Sequence, residues 1–455
     1  MSEKPQKVAI IGTGMAGLIT SYILRTDPRF DVEVFEKQAQ LSLDSASLTV
    51  SSGPDNDQKQ HRIDLPMRVF ADGFYANLKR MYDFFGVQYA SPRFIYTMSR
   101  ISDPGSTEIH PHFIHSSNNH QLPPLRPKGC SWIEWLMRVV YLAVCYYYFV
   151  ACCFFVAPRT TSDTGLSESF RDYAKRIHIP GHYIKNYFLP LMSCVTTCSH
   201  NQLLDFPAID VIGYQTKTFR KPHYTVLGGV NKVQAKLSKG QKVRYSAAVT
   251  AVENVGSKVK VTWKDGSREE VKSLFFDHVV LAVTPDVLRA IFPPLRKILA
   301  AVPTTPVHSI VHRDFARLPA CSQVISARLH ADNDRSSTHP IHIISNASTT
   351  ESTHQHPSSV LISTSPIVPI DSEKVISSTT FTRVLRTPTS RQVTLDIFES
   401  KPTGPDGDSK QWQNGDGNVW LVGGWCWDGM VMLEGCIASA IRVAEKLNIE
   451  VPWAS

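Results

Sequence analysis

The chain has 455 residues and a formal net charge of +8; 42% of its residues are hydrophobic and 19% are charged. These values exclude a disordered or fibrous chain and are typical of a globular protein with two or three domains. The basic residues are scattered and no motif combines them with aromatic residues. The charge therefore does not predict a nucleic-acid partner.

The cysteines and the N-terminal residues indicate the cellular compartment in which the protein is expected. The nine cysteines are an odd number and lack the spacing of metal ligands. The N-terminal stretch "MSEKPQK" has no signal-peptide pattern. We therefore expect free thiols, no bound metal and an intracellular location.

The first predicted elements are a strand, a glycine turn and a helix. "KVAII" is typical of a buried parallel strand, and GxGxxG follows at Gly12, Gly14 and Gly17. In such a turn the first glycine permits the bend, the second lets the backbone approach a pyrophosphate, and the third lets the helix pack closely. Backbone N–H groups at the helix start, at Met15 and Ala16, would then face the phosphates.

The second predicted strand supplies an acidic partner for this turn. "DVEVFEK" carries Glu36 nineteen positions after Gly17, followed by Lys37 as a further candidate contact. A carboxylate at that distance can accept hydrogen bonds from both ribose hydroxyls. Since it disfavours a 2′-phosphate, the sequence predicts FAD or NAD rather than NADP.

A long apolar segment lies in the middle of the chain. Residues 139–157, "VVYLAVCYYYFVACCFFVA", include no charge, and we expect a helix over 135–157. It could span a membrane, enter one leaflet, or pack inside a substrate domain. A single span would separate residues 8–50 from 418–447, which must meet on one nucleotide. We therefore expect contact with a membrane surface or an apolar tunnel wall, with a core helix as the alternative.

The last predicted elements form a second nucleotide-facing unit. Residues 418–447, "NVWLVGGWCWDGMVMLEGCIASAIRVAEKL", predict a strand, a glycine turn, an aromatic loop and a helix from about Gly435. This segment resembles the closing motif of the flavin-containing amine oxidase and phytoene desaturase superfamily. The resemblance places Gly424 beside the pyrophosphate. It also implies that backbone N–H groups point toward the flavin pyrimidine edge, namely those of Leu433, Glu434, Gly435 and Cys436.

Three internal segments follow the same family order. The family's Gly-Gly segment is resembled by "HYTVLGGVNKVQAKL". The strand whose backbone meets adenine is resembled by "KVRYSAAVTAVE", with Val249 at the contact. The strand that returns the chain to the nucleotide domain is resembled by "FDHVVLAVTPDVLRAIF". Residues 64–87 and 187–208 resemble a fungal and bacterial subgroup of NAD/FAD-binding amino oxidases. One departure is "QAQLSLDSAS" after the ribose carboxylate, where many amine oxidases have an arginine and paired glycines. The resemblance implies non-covalently bound FAD.

The resemblance also implies the fold. It is an α/β fold with a Rossmann-like FAD-binding domain of the glutathione reductase and amine oxidase type, interleaved with an α+β substrate domain. The FAD domain is predicted to comprise 1–65, 220–290 and 410–455, and the substrate domain 66–219 and 291–409. Within the latter, we expect "IHIIS" and "VLISTS" to be strands joined by a Ser/Thr/His-rich loop too polar to bury, followed by an exposed linker at 401–417.

Five residues are candidates for chemistry beside a flavin. Arg68 could stabilise the charge of reduced flavin or hold a substrate carboxylate, or it could be an ordinary ion-paired arginine. Trp425 and Trp427 could wall a substrate channel and Asp428 could orient a polar group, or all three could form a packed loop. His312 is a candidate general base in a stretch where amine oxidases often place a lysine. The missing lysine argues against oxygen activation.

These expectations converge on an FAD-dependent oxidoreductase. We expect a dehydrogenase, desaturase or isomerase-like enzyme acting on a small apolar molecule of lipid or secondary metabolism. The alternatives are an amine oxidase that releases hydrogen peroxide and a non-catalytic, membrane-associated flavoprotein. The expected partners are the substrate and a membrane surface, and no oligomeric state is predicted.

Overall fold

The computed structural model describes residues 4–52, 59–101, 109–116, 126, 129–161, 165–266, 270–318, 338–399 and 412–454. The strands are β1 (Gln6–Ile11), β2 (Phe30–Phe35), β3 (Leu48–Ser52), β4 (Lys59–Ile63), β5 (Val69–Ala71), β6 (Tyr89–Ala90), β7 (Arg93–Arg100), β8 (His110–Ser116), β9 (His223–Val226), β10 (Lys242–Arg244), β11 (Ala247–Val255), β12 (Lys258–Asp265), β13 (Glu270–Phe276), β14 (His278–Leu281), β15 (Thr304–His312), β16 (Thr338–Ser345), β17 (Thr350–His356), β18 (Val360–Thr364), β19 (Val375–Val384) and β20 (Val419–Leu421). The α-helices are α1 (Met15–Leu24), α2 (Ala76–Phe84), α3 (Trp132–Phe155), α4 (Phe170–Arg176), α5 (Gly181–Tyr183), α6 (Leu189–Thr196), α7 (His200–Leu204), α8 (Ala208–Thr218), α9 (Asn231–Ser238), α10 (Pro285–Ile291), α11 (Pro388–Phe398) and α12 (Leu433–Lys446). A π-helical turn, Ile184–Phe188, connects α5 to α6.

A five-stranded parallel sheet carries both ends of the chain. Its order is β10-β2-β1-β14-β20, and every neighbouring pair is parallel. The central strand β1 is apolar and buried from Val8 to Ile11, because the sheet is covered on both faces. The predicted Rossmann-like fold is confirmed. The sheet draws its strands from three separate parts of the chain, while the domain boundaries given above stay a prediction.

Two hydrophobic cores cover the two faces of this sheet. On one face, α1, α9 and α12 pack together with α2 and the helices from α3 to α8. On the other, the antiparallel sheet β11-β12-β13 packs with α10, and Phe35 contacts Trp263 with ring centroids 5.1 Å apart. This arrangement leaves the carboxyl ends of the parallel strands as the edge on which the glycine turns lie.

A second, seven-stranded sheet has the order β19-β15-β18-β17-β16-β7-β8. The expectation of an unburied polar loop between "IHIIS" and "VLISTS" is wrong, because Thr350–His356 forms the inner strand β17. Glu351 on this strand is fully buried and bonds Arg317 Nη1 at 2.5 Å. Paired side chains thus let a polar sequence occupy a central position. Residues 319–337 and most of the predicted 401–417 linker lie outside the described residues.

The predicted apolar helix forms as α3. Ser131 caps it by accepting a hydrogen bond from the Glu134 backbone N–H at 3.2 Å. Among the described residues, α3 is the one helix long and apolar enough to cross a membrane. One of its faces enters the first core through Cys145, Phe149 and Cys152, while a second, equally apolar face is exposed.

Candidate functional site

The N-terminal glycine turn has the geometry of a phosphate-binding loop. Gly12 has a φ of +104°, and a Cβ there would lie 2.7 Å from the Ala282 carbonyl oxygen. A Cβ on Gly17 would lie 2.0 Å from the Gly12 oxygen, so the helix can approach the turn only without a side chain. In contrast, a Cβ on Gly14 would meet no heavy atom within 4 Å. The backbone at Gly14 therefore borders open space.

Glu36 reaches this turn from the end of β2. Its side chain is 3% exposed, and its Oε2 accepts a hydrogen bond from the Thr13 backbone N–H at 3.2 Å. The Thr13 hydroxyl also donates to it, and Oε1 accepts from the Gln38 backbone N–H at 2.9 Å. The predicted acid thus lies at the glycine turn, whereas Lys37 is exposed. Thr13 was not singled out from the sequence because the middle positions of GxGxxG admit many residues.

The start of α12 meets the start of α1 at the same place. Met15 and Ala16 begin α1 and are buried, and the Ala16 backbone N–H lies beside the Cys436 thiol. Burial raises the pKa of Cys436 to about 12, so this thiol is neutral. A Cβ on Gly424 would lie 3.0 Å from the Met432 carbonyl oxygen. The structure therefore brings the two predicted halves of the nucleotide site together.

Gly435 and Glu434 have different tasks in the first turn of α12. A Cβ on Gly435 would lie 2.4 Å from both the Gly424 oxygen and the Trp427 ring, so this close approach requires glycine. The Glu434 carboxylate accepts hydrogen bonds from the backbone N–H groups of Asn77 at 2.9 Å and Leu78 at 3.0 Å. Its side chain thus caps α2, which leaves only the backbone of this residue for the predicted cofactor contact.

Two arginines beside Cys436 keep N–H groups that are shielded from water. Arg68 donates through Nη2 to the Leu43 carbonyl oxygen at 2.8 Å, while its buried Nη1 has no partner among the described residues. Arg383 on β19 donates through Nη2 to the Met432 sulfur at 3.5 Å, and no residue in the described part of the chain accepts from its Nε. Burial lowers the pKa of both guanidinium groups.

Unpaired buried donors of this kind are costly unless a ligand accepts their hydrogen bonds. Together with the open backbone at Gly14, they fit an anionic, oxygen-rich dinucleotide such as FAD. Arg68 was predicted from the sequence as a cofactor and catalytic candidate. Arg383 was not, because only the folding of the seven-stranded sheet brings β19 to the start of α12.

We expect Arg68→Met to raise the dissociation constant of FAD by about tenfold to a hundredfold, the usual effect of one charged hydrogen bond. Reconstitution of the apoprotein followed by flavin fluorescence measures this constant. Arg29→Met is the matched control, since the Arg29 side chain is 52% exposed and pairs with Asp27. Equal affinities in the two variants would contradict the placement of Arg68 at the cofactor.

The aromatic loop before α12 is held by an arginine that the sequence did not single out. Arg386 is 2% exposed and donates through Nη2 to the carbonyl oxygens of Trp425 at 3.0 Å, Trp427 at 2.8 Å and Gly429 at 3.2 Å. Its Nε lies 3.8 Å from the buried carboxylate of Asp210. The loop is therefore fixed through its backbone.

The two tryptophans of this loop face different surroundings. Trp425 is 3% exposed and packs in the second core, with its ring centroid 6.4 Å from that of Phe398. Trp427 contacts Phe74 edge to face at 5.8 Å and covers Gly435. This placement favours the packing interpretation for Trp425 and leaves Trp427 as the aromatic candidate beside the cofactor.

Asp428 is bound on both carboxylate oxygens by Arg391, at 2.7 and 2.6 Å. We therefore expect Asp428→Asn to change turnover less than about twofold and to cost about 0.5–1 kcal/mol of stability, the usual range for a partly exposed ion pair. Steady-state rates and thermal unfolding measure the two effects. A large loss of rate with unchanged stability would restore the catalytic interpretation of this residue.

His312 lies on β15 of the seven-stranded sheet, and Val249 lies on β11 of the three-stranded antiparallel sheet. His312 is fully buried, its Nε2 lies 2.9 Å from Ser363 Oγ, and its Nδ1 accepts from the Asp314 backbone N–H at 3.2 Å. Burial lowers the pKa of His312 to about 4, which favours a structural role. Val249 stands at a register irregularity between β11 and β12, where the regular ladder is interrupted; its adenine contact stays a prediction.

The parallel sheet, the glycine turn with its carboxylate, and the second helix start define a dinucleotide-dependent oxidoreductase. The family model for the NAD(P)-binding Rossmann-like domain matches residues 10–85. The model for flavin containing amine oxidoreductase matches residues 208–337. No curated protein sequence matches the chain.

Solved structures agree on the fold over nearly the whole chain. Three similar ones are a putative protoporphyrinogen oxidase from Exiguobacterium sp. 255-15 (TM-score 0.55, 12% identity), a putrescine oxidase triple mutant (0.58, 12%) and a fatty acid isomerase from P. acnes (0.60, 10%). Each alignment covers 98% of this chain and 99% of the other. The two family matches and the shared fold support the flavin-containing amine oxidase superfamily. The chain is an FAD-dependent oxidoreductase and uses FAD as its cofactor.

Proposed function

We propose that this enzyme is a dehydrogenase, desaturase or isomerase of a small apolar molecule that carries no cationic amine, in lipid or secondary metabolism. The observation that carries the proposal is Arg383. The ionisable groups that face its guanidinium are Cys198, Tyr75 and Cys436, and none of them is a carboxylate. The chain itself therefore places no described carboxylate against the positive charge of Arg383 beside the start of α12.

An ammonium group is disfavoured near this guanidinium. Two like charges about 4 Å apart repel by about 4 kcal/mol at the effective dielectric typical of a protein surface. Three described carboxylates of this region are already engaged, since Glu434 caps α2, Asp210 faces Arg386, and Asp64, which faces Arg68, accepts a hydrogen bond from the Val230 backbone N–H. No described acid is thus left to recognise an amine at this place.

The other walls of this region are aromatic. Phe74 contacts Tyr75 and Tyr214 with ring centroids 4.9 Å apart in each case. Burial raises the pKa of Tyr75 and Tyr214, so both phenols are neutral. Such walls favour apolar substrate surface and exclude water. The similar fatty acid isomerase and putrescine oxidase show that this fold is compatible with both apolar and amine substrates.

When bound, FAD supplies the hydride chemistry, and the chain supplies orientation and charge. The Arg383 and Arg68 guanidinium groups would stabilise negative charge at the cofactor. The aromatic walls would position an apolar substrate with its reacting carbon in a dry environment. The alternative of an amine oxidase lacks a described carboxylate for the amine, and the His308–Arg317 stretch contains no lysine.

The test incubates the FAD-loaded enzyme without oxygen with two panels, one of unsaturated fatty acids and neutral polyenes and one of primary amines and polyamines. Flavin bleaching and mass spectrometry of the products are recorded together, since an isomerase leaves no net bleaching. We expect a desaturated or isomerised product from the apolar panel only. Bleaching by amines with peroxide release in air would overturn the proposal. Intact FAD with no product from either panel would favour the non-catalytic flavoprotein.

A further inference from the structure

A cavity of about 330 Å³ lies beside α3 and shares no residue with the candidate flavin site. Strands β7 and β8, helix α3, α5 and the π-helical turn contribute its walls. Four of the lining side chains are basic, namely Arg100, His112, Arg138 and His182. None of the described lining residues is acidic, although Glu134 bonds Arg138 Nη2 at 2.6 Å from the next helical turn. The cavity is therefore suited to an anion.

The cavity also contains acceptors without partners. Asn186 is only 5% exposed, and its Oδ1 has no hydrogen-bond partner among the described residues. His112 Nε2 lies 3.3 Å from the Asn186 carbonyl oxygen, and no described residue pairs with its Nδ1. Burial, reinforced by the positive charges of Arg100 and Arg138, lowers the pKa of His112 to about 4. A neutral imidazole that donates through Nε2 presents Nδ1 as an acceptor.

The inner wall thus offers acceptors to hydrogen-bond donors, while the guanidinium groups of Arg100 and Arg138 can donate to an anion. A phosphate diester joined to a polyol supplies both groups in one molecule. Phosphate oxygens would accept from the guanidinium groups of Arg100 and Arg138. Hydroxyl groups would donate to Asn186 Oδ1 and His112 Nδ1. Simple inorganic anions would leave these two acceptors unpaired.

The exposed apolar face of α3 continues from this cavity. Met137 lines the cavity and is 61% exposed. The face, which we call the outer face of α3, recurs at helical spacing and comprises Ile133, Met137, Val140, Val144, Tyr147, Phe154 and Phe155. A continuous apolar surface along a 24-residue helix marks an interaction site. The cationic cavity opens on the same helix as this apolar face. The charge of the cavity therefore favours a partner whose surface is anionic and whose interior is apolar.

We propose that the outer face of α3 enters one leaflet of a membrane and that the adjacent cavity binds the polyol phosphate head group of an anionic phospholipid. The helix lies along the surface, since its inner face is part of the protein core. This inference is independent of the proposed function, because vesicle binding requires neither a substrate nor turnover.

The test measures flotation of the full-length, FAD-loaded protein with vesicles of phosphatidylcholine alone or mixed with phosphatidylglycerol or phosphatidic acid. We expect at least tenfold stronger binding to phosphatidylglycerol vesicles than to phosphatidylcholine, with phosphatidic acid between them, since it has the charge but no polyol. Arg100→Gln should reduce the phosphatidylglycerol preference about tenfold. Arg296→Gln, another exposed arginine, should leave it unchanged.

A matched pair tests the apolar face. Val144 on α3 is 63% exposed and Val271 on β13 is 61% exposed, so neither Val144→Glu nor Val271→Glu buries a charge in a core. We expect Val144→Glu to abolish binding to all vesicles and Val271→Glu to bind like the parent. Equal binding of both variants would overturn the proposal. The proposal would also be overturned if the unsubstituted protein did not bind vesicles and were a dimer that Val144→Glu converts to a monomer. It would likewise be overturned if soluble glycerol phosphate stabilised a protein that does not bind vesicles.

Discussion

A protein with valine in place of Gly14 is expected to fold normally and to lose FAD. No described heavy atom outside the two chain neighbours lies within 4 Å of a Cβ at this position, and the residue has an extended backbone with φ −66° and ψ 178°, which valine adopts without strain. The side chain would therefore clash only with the pyrophosphate that the turn holds. We expect the dissociation constant of FAD to rise by at least about a hundredfold, which corresponds to about 2.7 kcal/mol.

The measurement is the ratio of flavin to protein after gel filtration, combined with circular dichroism of the apoprotein. Gly213→Val on α8 is the matched control, since its Cβ would also meet no atom within 4 Å; it should keep FAD. Gly17→Ala gives the opposite pattern, because its Cβ would lie 2.0 Å from a backbone oxygen and should impair folding itself. Full FAD retention by the Gly14 variant would contradict the phosphate-binding assignment.

The second large effect is expected at Glu351, where substitution by glutamine should cost about 3–5 kcal/mol of unfolding free energy, as for a broken buried ion pair. Glu351 is fully buried, and its carboxylate accepts hydrogen bonds from Arg317, Thr353 and the Ile367 backbone N–H. The substitution would leave the 3%-exposed side chain of Arg317 without its counter-charge. Urea unfolding followed by tryptophan fluorescence measures the loss.

The loss should also depend on pH. Burial by itself raises the pKa of Glu351, but the bonds from Arg317 and its neighbours outweigh it and hold the pKa below the ordinary value. The stability it confers is then present above the unfolded-state pKa and is lost as the pH falls through the lower, folded-state pKa. Glu253→Gln is the control, since that exposed carboxylate lies 3.8 Å from Lys260. Similar losses in both variants at neutral pH would refute the role given to the buried pair.

The flavin-binding half of the molecule could be predicted because its signals are local. Gly12, Gly14 and Gly17 fix one turn by their spacing, and the strand that precedes Glu36 follows at a set distance. Glycine at Gly12 and Gly17 reflects backbone contacts that admit no side chain, and Gly14 leaves the backbone open to a ligand, so the residue type itself carries the structural information. The same holds for Gly424 and Gly435 at the other end of the chain.

The remaining parts of the site depend on long-range pairing. Arg383 reaches the start of α12 only because β19 pairs with β15 in the second sheet, and Arg386 can hold the aromatic loop only once α11 and that loop have packed. Likewise, β17 is polar in sequence, and its burial requires the partner Arg317 from a distant segment. Neither periodicity nor composition reports such partners in advance.

Aromatic and apolar residues were ambiguous for a different reason. Trp425 and Trp427 are two positions apart, yet one packs in the second core and the other lies against Phe74 beside α12. In α3 the apolar residues continue around the whole helix, so hydrophobicity alone could not separate its buried face from its exposed one. The packing of the neighbouring helices makes that distinction.

The most direct test is the absorption spectrum of the purified protein, followed by chromatography of the cofactor released on denaturation. The joined glycine turns, the Glu36 carboxylate and the unpaired arginine N–H groups predict flavin bands and stoichiometric, non-covalently released FAD. A colourless protein that binds NAD instead would contradict the assignment of both chain ends to one FAD site.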